Sequence, residues 1–349
     1  MSIPVNAISR KRTGFLVLLF SFLLVGMILV SASMGYMQIG PAEIVGIVMG
    51  ELGGGGVCVE RLDATLRTIV MEVRLPRILT CAAVGGALSI SGVLFQGILL
   101  NPLADPYTLG VSAGAAFGAC VAIVLSLGST FVPVPLFAFV GACLTLLLVM
   151  FLSYTGNNRT SAFSSNNLIL SGIIVAAILS AGISFLKYVA DEQVSVIIFW
   201  LMGSFASKTW GDVVLTLAFL IGGLGISLFF ARDLNLVSLG ERSAESLGVD
   251  TGRVTLILLI TGSLLAAVSV SVSGIIGFVG LLVPHMVRLV SGPDNRKLIP
   301  LSMLMGAILL LGADTITRAV LPHEIPIGVL TALMGGPVFC WIFKRSQRN

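Results

Sequence analysis

The residues of this sequence best placed to do chemistry are a few charged side chains at the ends of long apolar stretches. Arg74 and Arg77 flank a proline just before one such stretch, and Arg318 follows Asp314 by four residues in another. Arginine forks bind carboxylates in a paired geometry, so this set suits recognition of an acidic protein surface. Two simpler interpretations stay open, because arginines at membrane boundaries also reach toward headgroups and Asp314 has the helical spacing to pair with Arg318.

Other kinds of chemistry find little support in the sequence. Asp314 is the only acidic residue well inside an apolar stretch, so a proton or sodium relay has few groups to use. Segment 203–209 resembles a phosphate-binding loop, but Ser207 stands where that motif requires glycine. His285 follows a proline and is better explained by packing than by haem ligation, and the five cysteines show no metal-ligand spacing. We therefore predict no catalytic residue, metal site or nucleotide site in this chain.

A compact polar insert interrupts the apolar sequence at residues 236–251. The spacing of Ser238 and Glu241 fits a capping box that begins a short helix of two or three turns, and Gly248 is the residue type that ends a helix in a left-handed conformation. The apolar residues of this helix can share one side: Leu239, Ala244 and Leu247. The insert predicts a surface that another protein contacts, although a solvated loop between two membrane spans has the same pattern.

Composition assigns the chain to the membrane proteins. The 349 residues are 56% hydrophobic and 10% charged, against about 25% charged in soluble domains. The mean hydropathy of +1.07 agrees. The net charge of +4 is small and no basic cluster alternates with aromatic residues, so we predict no nucleic-acid partner.

Ten apolar stretches approach the ~20 helical residues that cross a bilayer. The predicted spans are 14–34, 77–100, 107–127, 131–154, 168–188, 211–231, 254–274, 278–290, 298–321 and 327–343. The first is longer than the ~7 to 15 apolar residues of a signal peptide, so we interpret it as a retained span rather than a cleaved one. The run at 197–205 fits a half-helix, and the span at 278–290 is short and contains Pro284, as segments along transport paths often do. Residues 35–74 are predicted to form an external loop with one short helix.

An even number of spans places both termini on one side of the membrane. Most of the 20 Lys and Arg residues fall on that side, so the positive-inside rule puts both termini and the insert 236–251 in the cytoplasm. Two short sequences resemble each other, and we call this similarity the echo. They lie five spans apart, as inverted repeats require, although chance similarity explains them as well. The two copies are Ser89-Ile-Ser-Gly92 with Pro102, and Ser271-Val-Ser-Gly274 with Pro284.

Several linked motifs, which extend over residues 74–343, resemble one family of transport proteins. They are Arg74-Leu-Pro-Arg77, Gly85-Gly-Ala-Leu-Ser-Ile-Ser-Gly92, Gln96, Asn101-Pro-Leu-Ala-Asp-Pro106, Leu109-Gly-Val-Ser-Ala-Gly114, Gly277-Phe-Val-Gly-Leu-Leu-Val-Pro-His285, Arg288, Pro326-Ile-Gly-Val-Leu-Thr-Ala332 and Gly336-Pro-Val-Phe339. The sequence resembles the permease subunits of bacterial ABC importers for iron chelates, haem and vitamin B12.

The resemblance implies an all-α polytopic membrane protein, with residues 1–349 forming a single permease domain. It implies ten transmembrane helices per subunit, an inverted repeat and type II ABC importer permease architecture. The expected partners are a second copy of the chain, two cytoplasmic ABC ATPase subunits and an external substrate-binding protein. No cofactor is expected in this chain, because ATP and Mg²⁺ belong to the ATPase, and the expected location is the bacterial cytoplasmic (inner) membrane.

The resemblance also implies roles for particular residues. Arg74, Arg77 and Arg318 match positions that pair with glutamates on the binding protein. Residues 236–251 match the coupling helices that sit in a cleft of the ATPase. The coupling residues are Ser238, Gly240, Glu241, Arg242, Ala244, Leu247 and Gly248. The cytoplasmic gate is expected at Asn101, Leu103, Ser164 and Ser165, with a looser match for the two serines.

Cargo and energy source are separate questions for the sequence. A ferric siderophore is the first expectation for the cargo, followed by haem, cobalamin and an oxyanion such as molybdate. Energy is expected from the partner ATPase, with alternating access as the mechanism. An ion-coupled secondary transporter and a membrane scaffold without transport activity are the alternative functions.

Overall fold

The structure, a computed structural model, describes residues 5–35, 37–52, 64–126, 133–154, 164–319 and 324–346. The described residues form fifteen α-helices with short segments of other helix types between them. The α-helices are α1 (Val5–Ser33), α2 (Pro41–Leu52), α3 (Ala64–Thr68), α4 (Leu75–Ile98), α5 (Val111–Val124), α6 (Pro133–Ser153), α7 (Ser165–Val189), α8 (Val194–Leu201), α9 (Trp210–Phe229), α10 (Ala231–Val237), α11 (Glu241–Ser246), α12 (Thr251–Ser273), α13 (Val279–Ser291), α14 (Asn295–Ala319) and α15 (Ile327–Ser346). A π-helix spans Ile69–Arg74, and 3₁₀ turns span Pro106–Leu109 and Asp191–Gln193.

Within the described residues, seven helical stretches have the length and composition to cross a membrane, and three shorter apolar helices accompany them. The shorter ones are α5, α13 and α15. Each of the ten predicted spans overlaps one of these ten helices. Helix α8 lies in the run predicted to be too short to cross. The predicted span ends at 127, 131 and 321, and the Gly-rich segment 53–56, fall outside the described residues.

The second span begins earlier than the sequence predicts. Helix α3, the π-helix and α4 form one stretch of 35 residues from Ala64 to Ile98, where the sequence predicts a loop as far as Arg74. The predicted loop also contains α2, so it holds two helices rather than one. The boundary was misplaced because hydropathy treats an arginine as an end, whereas Arg74 is buried and hydrogen-bonded within the helical stretch.

Helix α4 lies at the centre of the bundle. In the most apolar 18 residues of the helical stretch that contains α4, 94% of the residues are buried, against 11% in α1. The neighbours of α4 include α9, α10, α12, α13 and α14. A helix buried on every side needs no polar face. Helices in lipid associate through close packing rather than through the hydrophobic effect, so small residues are favoured at such contacts.

Glycines bring α4 into backbone contact with its neighbours. A Cβ atom on Gly92 would lie 1.8 Å from the carbonyl oxygen of Gly280 in α13. A Cβ atom on Gly85 would lie 2.4 Å from the carbonyl oxygen of Gly306 in α14. No side chain larger than hydrogen fits at these two crossings.

Two short helices start side by side near the middle of α4. A Cβ atom on Gly280, the second residue of α13, would lie 2.7 Å from Cδ of Pro106 and 3.0 Å from the carbonyl oxygen of Leu88. Tyr107, in the 3₁₀ turn before α5, donates its hydroxyl to the carbonyl of Ile276 at 2.9 Å. The segments that begin α5 and α13 therefore contact each other directly, beside α4.

From this common point α5 and α13 run to opposite ends of the bundle. Just after α5, Ser126 accepts a hydrogen bond from Gln193, which precedes α8. The turn after α13 is bonded instead to Asn235 in α10. Each short helix comes after one Ser-x-Ser-Gly sequence of the echo, as an inverted repeat requires, but the prolines do not correspond, because Pro102 precedes α5 whereas Pro284 lies inside α13.

Gly92→Ala should destabilise the folded protein, because its methyl group would overlap the backbone of α13. Overpacking of this kind costs about 1–3 kcal/mol, and each kcal/mol lowers the unfolding temperature of a chain this size by about 1–2 °C. Thermal unfolding in detergent measures the effect. Gly225→Ala in α9 is the control, since its Cβ would meet nothing within 4 Å. Equal unfolding temperatures for the two variants would contradict the packing account.

Candidate functional site

The functional residues predicted from the sequence lie at the two ends of the bundle. We call the end that carries Arg74, Arg77 and Arg318 the arginine end, and the end that carries α10 and α11 the α10–α11 end. The side-chain contacts of the two ends differ in kind. Buried ion pairs hold the arginine end together, while exposed short helices and two polar cavities characterise the other.

Arg77 and Asp314 form the central ion pair of the arginine end. The guanidinium of Arg77 donates from Nε to both carboxylate oxygens of Asp314, at 3.2 and 3.1 Å, and from Nη2 to one of them at 2.7 Å. The Asp314 side chain is 1% exposed, and Arg318 lies 3.6 Å from its second oxygen. The intrahelical pair of Asp314 with Arg318 is thus confirmed, and Arg77 adds a second cation from α4.

Arg74 and Arg318 fasten this cluster to the end of α1. Arg74 donates to the backbone carbonyls of Ala32 and Met37. Arg318 donates to the carbonyl of Met34 at 2.7 Å and to the hydroxyl of Ser31 at 2.8 Å. The carbonyls that follow the last turn of a helix lack intrahelical partners, and the two arginines supply donors to this region.

The three arginines therefore do not form the exposed cationic patch that the sequence predicts. Arg74 is 6% exposed, and the side chains of Arg77 and Arg318 are 12% and 10% exposed. The patch was expected because hydropathy does not reveal that carbonyls and a buried carboxylate face these positions. Their role in docking a binding protein stays a prediction.

A cavity of about 290 Å³ opens beside Arg77 at the arginine end, lined among others by Phe199, Phe205, Asp314 and Glu324. Glu324 is 45% exposed and accepts a hydrogen bond from Nη2 of Arg77. Arg77 thus bridges a buried carboxylate and an exposed one. This edge of the cluster is the part that an acidic partner could reach.

Segment 203–209, which resembles a phosphate loop, bonds to the end of α12 instead. Lys208 donates from Nζ to the carbonyl of Val272 at 2.6 Å, and the amide of Ser204 donates to the carbonyl of Ser273 at 2.8 Å. Burial lowers the pKa of Lys208. The donors that would hold a phosphate are used to fix the end of a helix.

At the other end, the insert 236–251 forms a short helix whose start differs from the prediction. Helix α11 begins at Glu241, after Gly240 with φ 105°, and Ser238 belongs to the end of α10, where its hydroxyl donates to the carbonyl of Leu234. The capping box is therefore wrong, because that hydroxyl bonds backward instead of forward. Gly248 confirms its predicted part, since φ is 86° and the amides of Gly248 and Val249 bond back to Glu245 and Ala244 as in a Schellman motif.

The apolar residues of the insert do not share one side as predicted. Ala244 is fully buried, whereas Leu239 and Leu247 are 68% and 62% exposed. The expected face failed because the helix is a single turn and a half and the two leucines lie outside it. Two large apolar side chains, with the exposed Arg242 between them in sequence, thus project from the α10–α11 end.

Two of the four predicted gate residues, Ser164 and Ser165, lie beside this insert. A cavity of about 240 Å³ is lined by Leu100, Ser164, Ser165, Val237, Glu241 and Thr251. Ser165 reaches toward the carbonyl of Ile98 at 3.4 Å, and Asn101 accepts the amide of Leu103 at 2.9 Å in a local turn. The structure therefore brings both serines next to the insert, while Asn101 shapes the loop after α4.

Sequence reasoning missed two residues of this region. Thr251 donates its hydroxyl to Glu245 at 3.1 Å and so ties α11 to α12. Asn235 bonds the turn between α13 and α14. Polar residues of this kind next to an apolar span were the available signal, but the partners of Asn235 are 59 and 60 residues away in the chain.

Comparison with known proteins agrees with this architecture. The model of the FecCD transport family matches residues 23–345. An uncharacterised ABC transporter permease of Bacillus subtilis, YvrB, is 40% identical over 344 residues, which cover 97% of this chain and 96% of the relative. The cobalamin import system permease BtuC of Halobacterium salinarum is 41% identical over 283 residues, 81% of this chain and 75% of the relative.

A solved structure supplies the same conclusion for the fold. An inward-facing metal-chelate type ABC transporter superposes with a TM-score of 0.80 at 33% identity, covering 94% of this chain and 98% of that one. The predicted all-α, type II ABC importer permease architecture is confirmed. Because the family model covers most of the sequence, this chain belongs to the FecCD transport family and is the multi-pass permease subunit, rather than a catalytic subunit, of an ABC importer.

Proposed function

We propose that two copies of this chain form a pathway through which a metal chelate enters the cell, driven by two ATPase subunits that bind the α10–α11 end. The observation that carries this proposal is the shared cavity at that end. Val237, Glu241 and Thr251 of the coupling region line it together with the gate residues Ser164 and Ser165. A movement of α10 and α11 therefore acts directly on the walls of the predicted constriction.

The ATPase contact is proposed at the exposed leucines. Leu239 and Leu247 flank α11, and large apolar side chains exposed on a polar surface are typical of a protein interface. ATP and Mg²⁺ belong to the ATPase in this proposal. ATP binding draws the two ATPases together, α10 and α11 follow, and the pathway opens to one side at a time.

A metal chelate is the proposed cargo. The similar solved structure is of the metal-chelate type, and the archaeal relative is named for cobalamin, itself a cobalt chelate. Within the described residues no group of three or more His, Cys, Asp or Glu side chains is placed to hold a metal ion. The metal would accordingly travel inside its organic ligand, with a ferric siderophore as the first candidate and haem and cobalamin next.

The described spans offer few ionisable groups that could couple transport to an ion gradient. Asp314, the carboxylate inside a span, is bonded to Arg77 and lies 3.6 Å from Arg318. The carboxylate oxygens of Asp314 are thus occupied by contacts within the subunit and are poorly placed to bind a transported ion. We propose that both termini and the α10–α11 end face the cytoplasm of a bacterial inner membrane, and that the arginine end receives a binding protein.

Reconstitution tests the proposed function. Proteoliposomes that contain this permease, its ATPase and its binding protein should accumulate ⁵⁵Fe-ferrichrome, haemin or cyanocobalamin only when ATP is present. Vesicles that lack the ATPase but carry a proton gradient are the control. Accumulation in those vesicles would favour the ion-coupled alternative, and no accumulation of any chelate with the complete system would reject the proposed cargo class.

Gly248→Val should uncouple ATP hydrolysis from uptake. Gly248 has φ 86°, a conformation that costs a β-branched residue about 1–3 kcal/mol, so the end of α11 would rearrange. We expect uptake per ATP to fall about fivefold or more while hydrolysis continues. Gly252→Ala is the control, because a Cβ there meets only a side-chain oxygen of Asp250 at 3.8 Å. Unchanged coupling in Gly248→Val would mean that this segment is only a connecting loop.

The double charge reversal Arg74→Glu and Arg77→Glu should weaken docking of the binding protein and leave basal ATPase activity. Because Arg77 also neutralises buried Asp314, loss of the pair costs about 3–5 kcal/mol and the unfolding temperature must be measured as well. Glu324→Ala separates the two effects, since it removes the exposed acceptor while Nη2 of Arg77 keeps its bond to Asp314, and should leave docking intact or strengthen it.

Arg67→Glu is the control for surface charge, because Arg67 is half exposed and pairs with Glu51 away from the cluster. Surface plasmon resonance with the binding protein measures affinity, and a fall of about tenfold is expected for the double variant only. Lower thermal stability with unchanged affinity would show that the arginines act only within this subunit.

A further inference from the structure

Asn235 joins α10 to the turn between α13 and α14. Its side-chain amide donates from Nδ2 to Oδ1 of Asp294 at 2.8 Å. Its Oδ1 accepts the backbone amide of Asn295, also at 2.8 Å. Both lengths are those of well-formed hydrogen bonds, and together they fix the side chain in position and orientation.

The turn that Asn235 holds leads directly into α14, which begins at Asn295. Oδ1 of Asp294 also accepts the amide of Arg296 at 3.2 Å, and its backbone carbonyl accepts the amides of Lys297 and Leu298 at 3.0 and 2.9 Å. Asn295, the first residue of α14, is 4% exposed. Asp294 therefore caps α14, and a displacement of the turn displaces the first turn of that helix.

The other inward contacts of α10 are apolar. Ala231 and Leu234 are fully buried and Val237 is 6% exposed. A Cβ on Gly97 of α4 would lie 2.8 Å from Cδ1 of Leu234, so Leu234 packs closely on the end of α4. Apolar contacts are non-directional and allow sliding, whereas the two hydrogen bonds of Asn235 set one register between α10 and the turn.

The two helices on either side of this turn reach the parts of the bundle that would move. Helix α13 starts beside the middle of α4, and nearer the end of α4 Gln96 donates to the carbonyl of Leu281 at 3.2 Å. Helix α14 carries Asp314, the partner of Arg77, toward the arginine end. A pull on the turn thus reaches the centre of the subunit through α13 and the opposite end through α14.

We propose that Asn235 is the positioning residue that transmits movement of α10 and α11 to α13 and α14. This inference rests on the proposed function, because it assumes that an ATPase moves the α10–α11 end. The inference adds a defined structural connection to the proposed function. The shared cavity at Ser164 and Ser165 transmits the movement to the constriction. The hydrogen bonds of Asn235 transmit it to α13, which starts beside α4.

Hydrogen exchange of the permease–ATPase complex in nanodiscs tests the connection, with ATP and vanadate as the added nucleotide state. Peptides covering 231–240 report on α10, and peptides covering 292–298 report on the turn. In the wild type both should change on nucleotide addition. In Asn235→Ala the α10 peptides should still change, while the nucleotide-dependent change in the turn falls about fivefold or more, since fivefold is the factor for loss of one ordinary hydrogen bond and the variant loses two.

An exchange of side chains separates a connection from a structural defect. Asn235→Asp places two carboxylates against each other and should behave like Asn235→Ala. Adding Asp294→Asn restores a donor opposite an acceptor, and Asp at position 235 still accepts the amide of Asn295, so the turn should respond again. Ser291→Ala is the matched control. Ser291 ends α13 next to the same turn, and its hydroxyl donates to the carbonyl of Val287 within α13 rather than to α10.

The outcomes are distinct. Loss of the turn response in Asn235→Ala, its return in the double variant and its persistence in Ser291→Ala would support the proposal, provided that ATPase activity is retained. A turn that responds normally in Asn235→Ala, or a double variant no better than Asn235→Asp, would overturn it. A wild type in which only α10 responds would overturn this connection and leave the proposed function standing. A wild type in which ATPase binding leaves the α10–α11 peptides unprotected would overturn both.

Discussion

Backbone contact between α4 and its neighbours is the constraint on which the rest of the structure depends. At Gly85 and Gly92 the facing carbonyl oxygens are so close that no Cβ fits. Helices in lipid gain no hydrophobic energy from meeting one another, so dispersion over such close contacts must hold the bundle. Because α4 is surrounded, the ends of the helices packed on it are fixed relative to each other, and movement at one end is not absorbed by a soft core.

The polar interactions at the two ends of this apolar bundle differ in kind. At the arginine end, Arg77, Asp314 and Arg318 form a nearly water-free ion cluster, and such pairs resist separation because each lone charge would be left buried. At the other end the polar contacts are single hydrogen bonds and exposed side chains around α10 and α11. A rigid end and an adjustable end suit a subunit that converts a push on one side into a change of access.

The corrections to the sequence interpretation share one cause. Arg74 was expected in a loop and on a surface, and Ser238 was expected to begin a helix. In each case the residue type was interpreted from its neighbours in the chain, while its actual partner was decided by packing. Arg74 finds the carbonyls at the end of α1, and Ser238 bonds back into α10. Polar groups in an apolar setting take the nearest available partner in space.

The sequence by itself determined the class and the family, because hydropathy and linked motifs are properties of the chain. It also determined the left-handed end of α11, since Gly248 is a local requirement of backbone geometry. Only the tertiary structure decided that Arg77 reaches Asp314, that Ser165 lies beside the insert, and that Asn235 holds the turn before α14. Those contacts join residues far apart in the chain, and their existence depends on how closely the small residues of α4 let the helices approach.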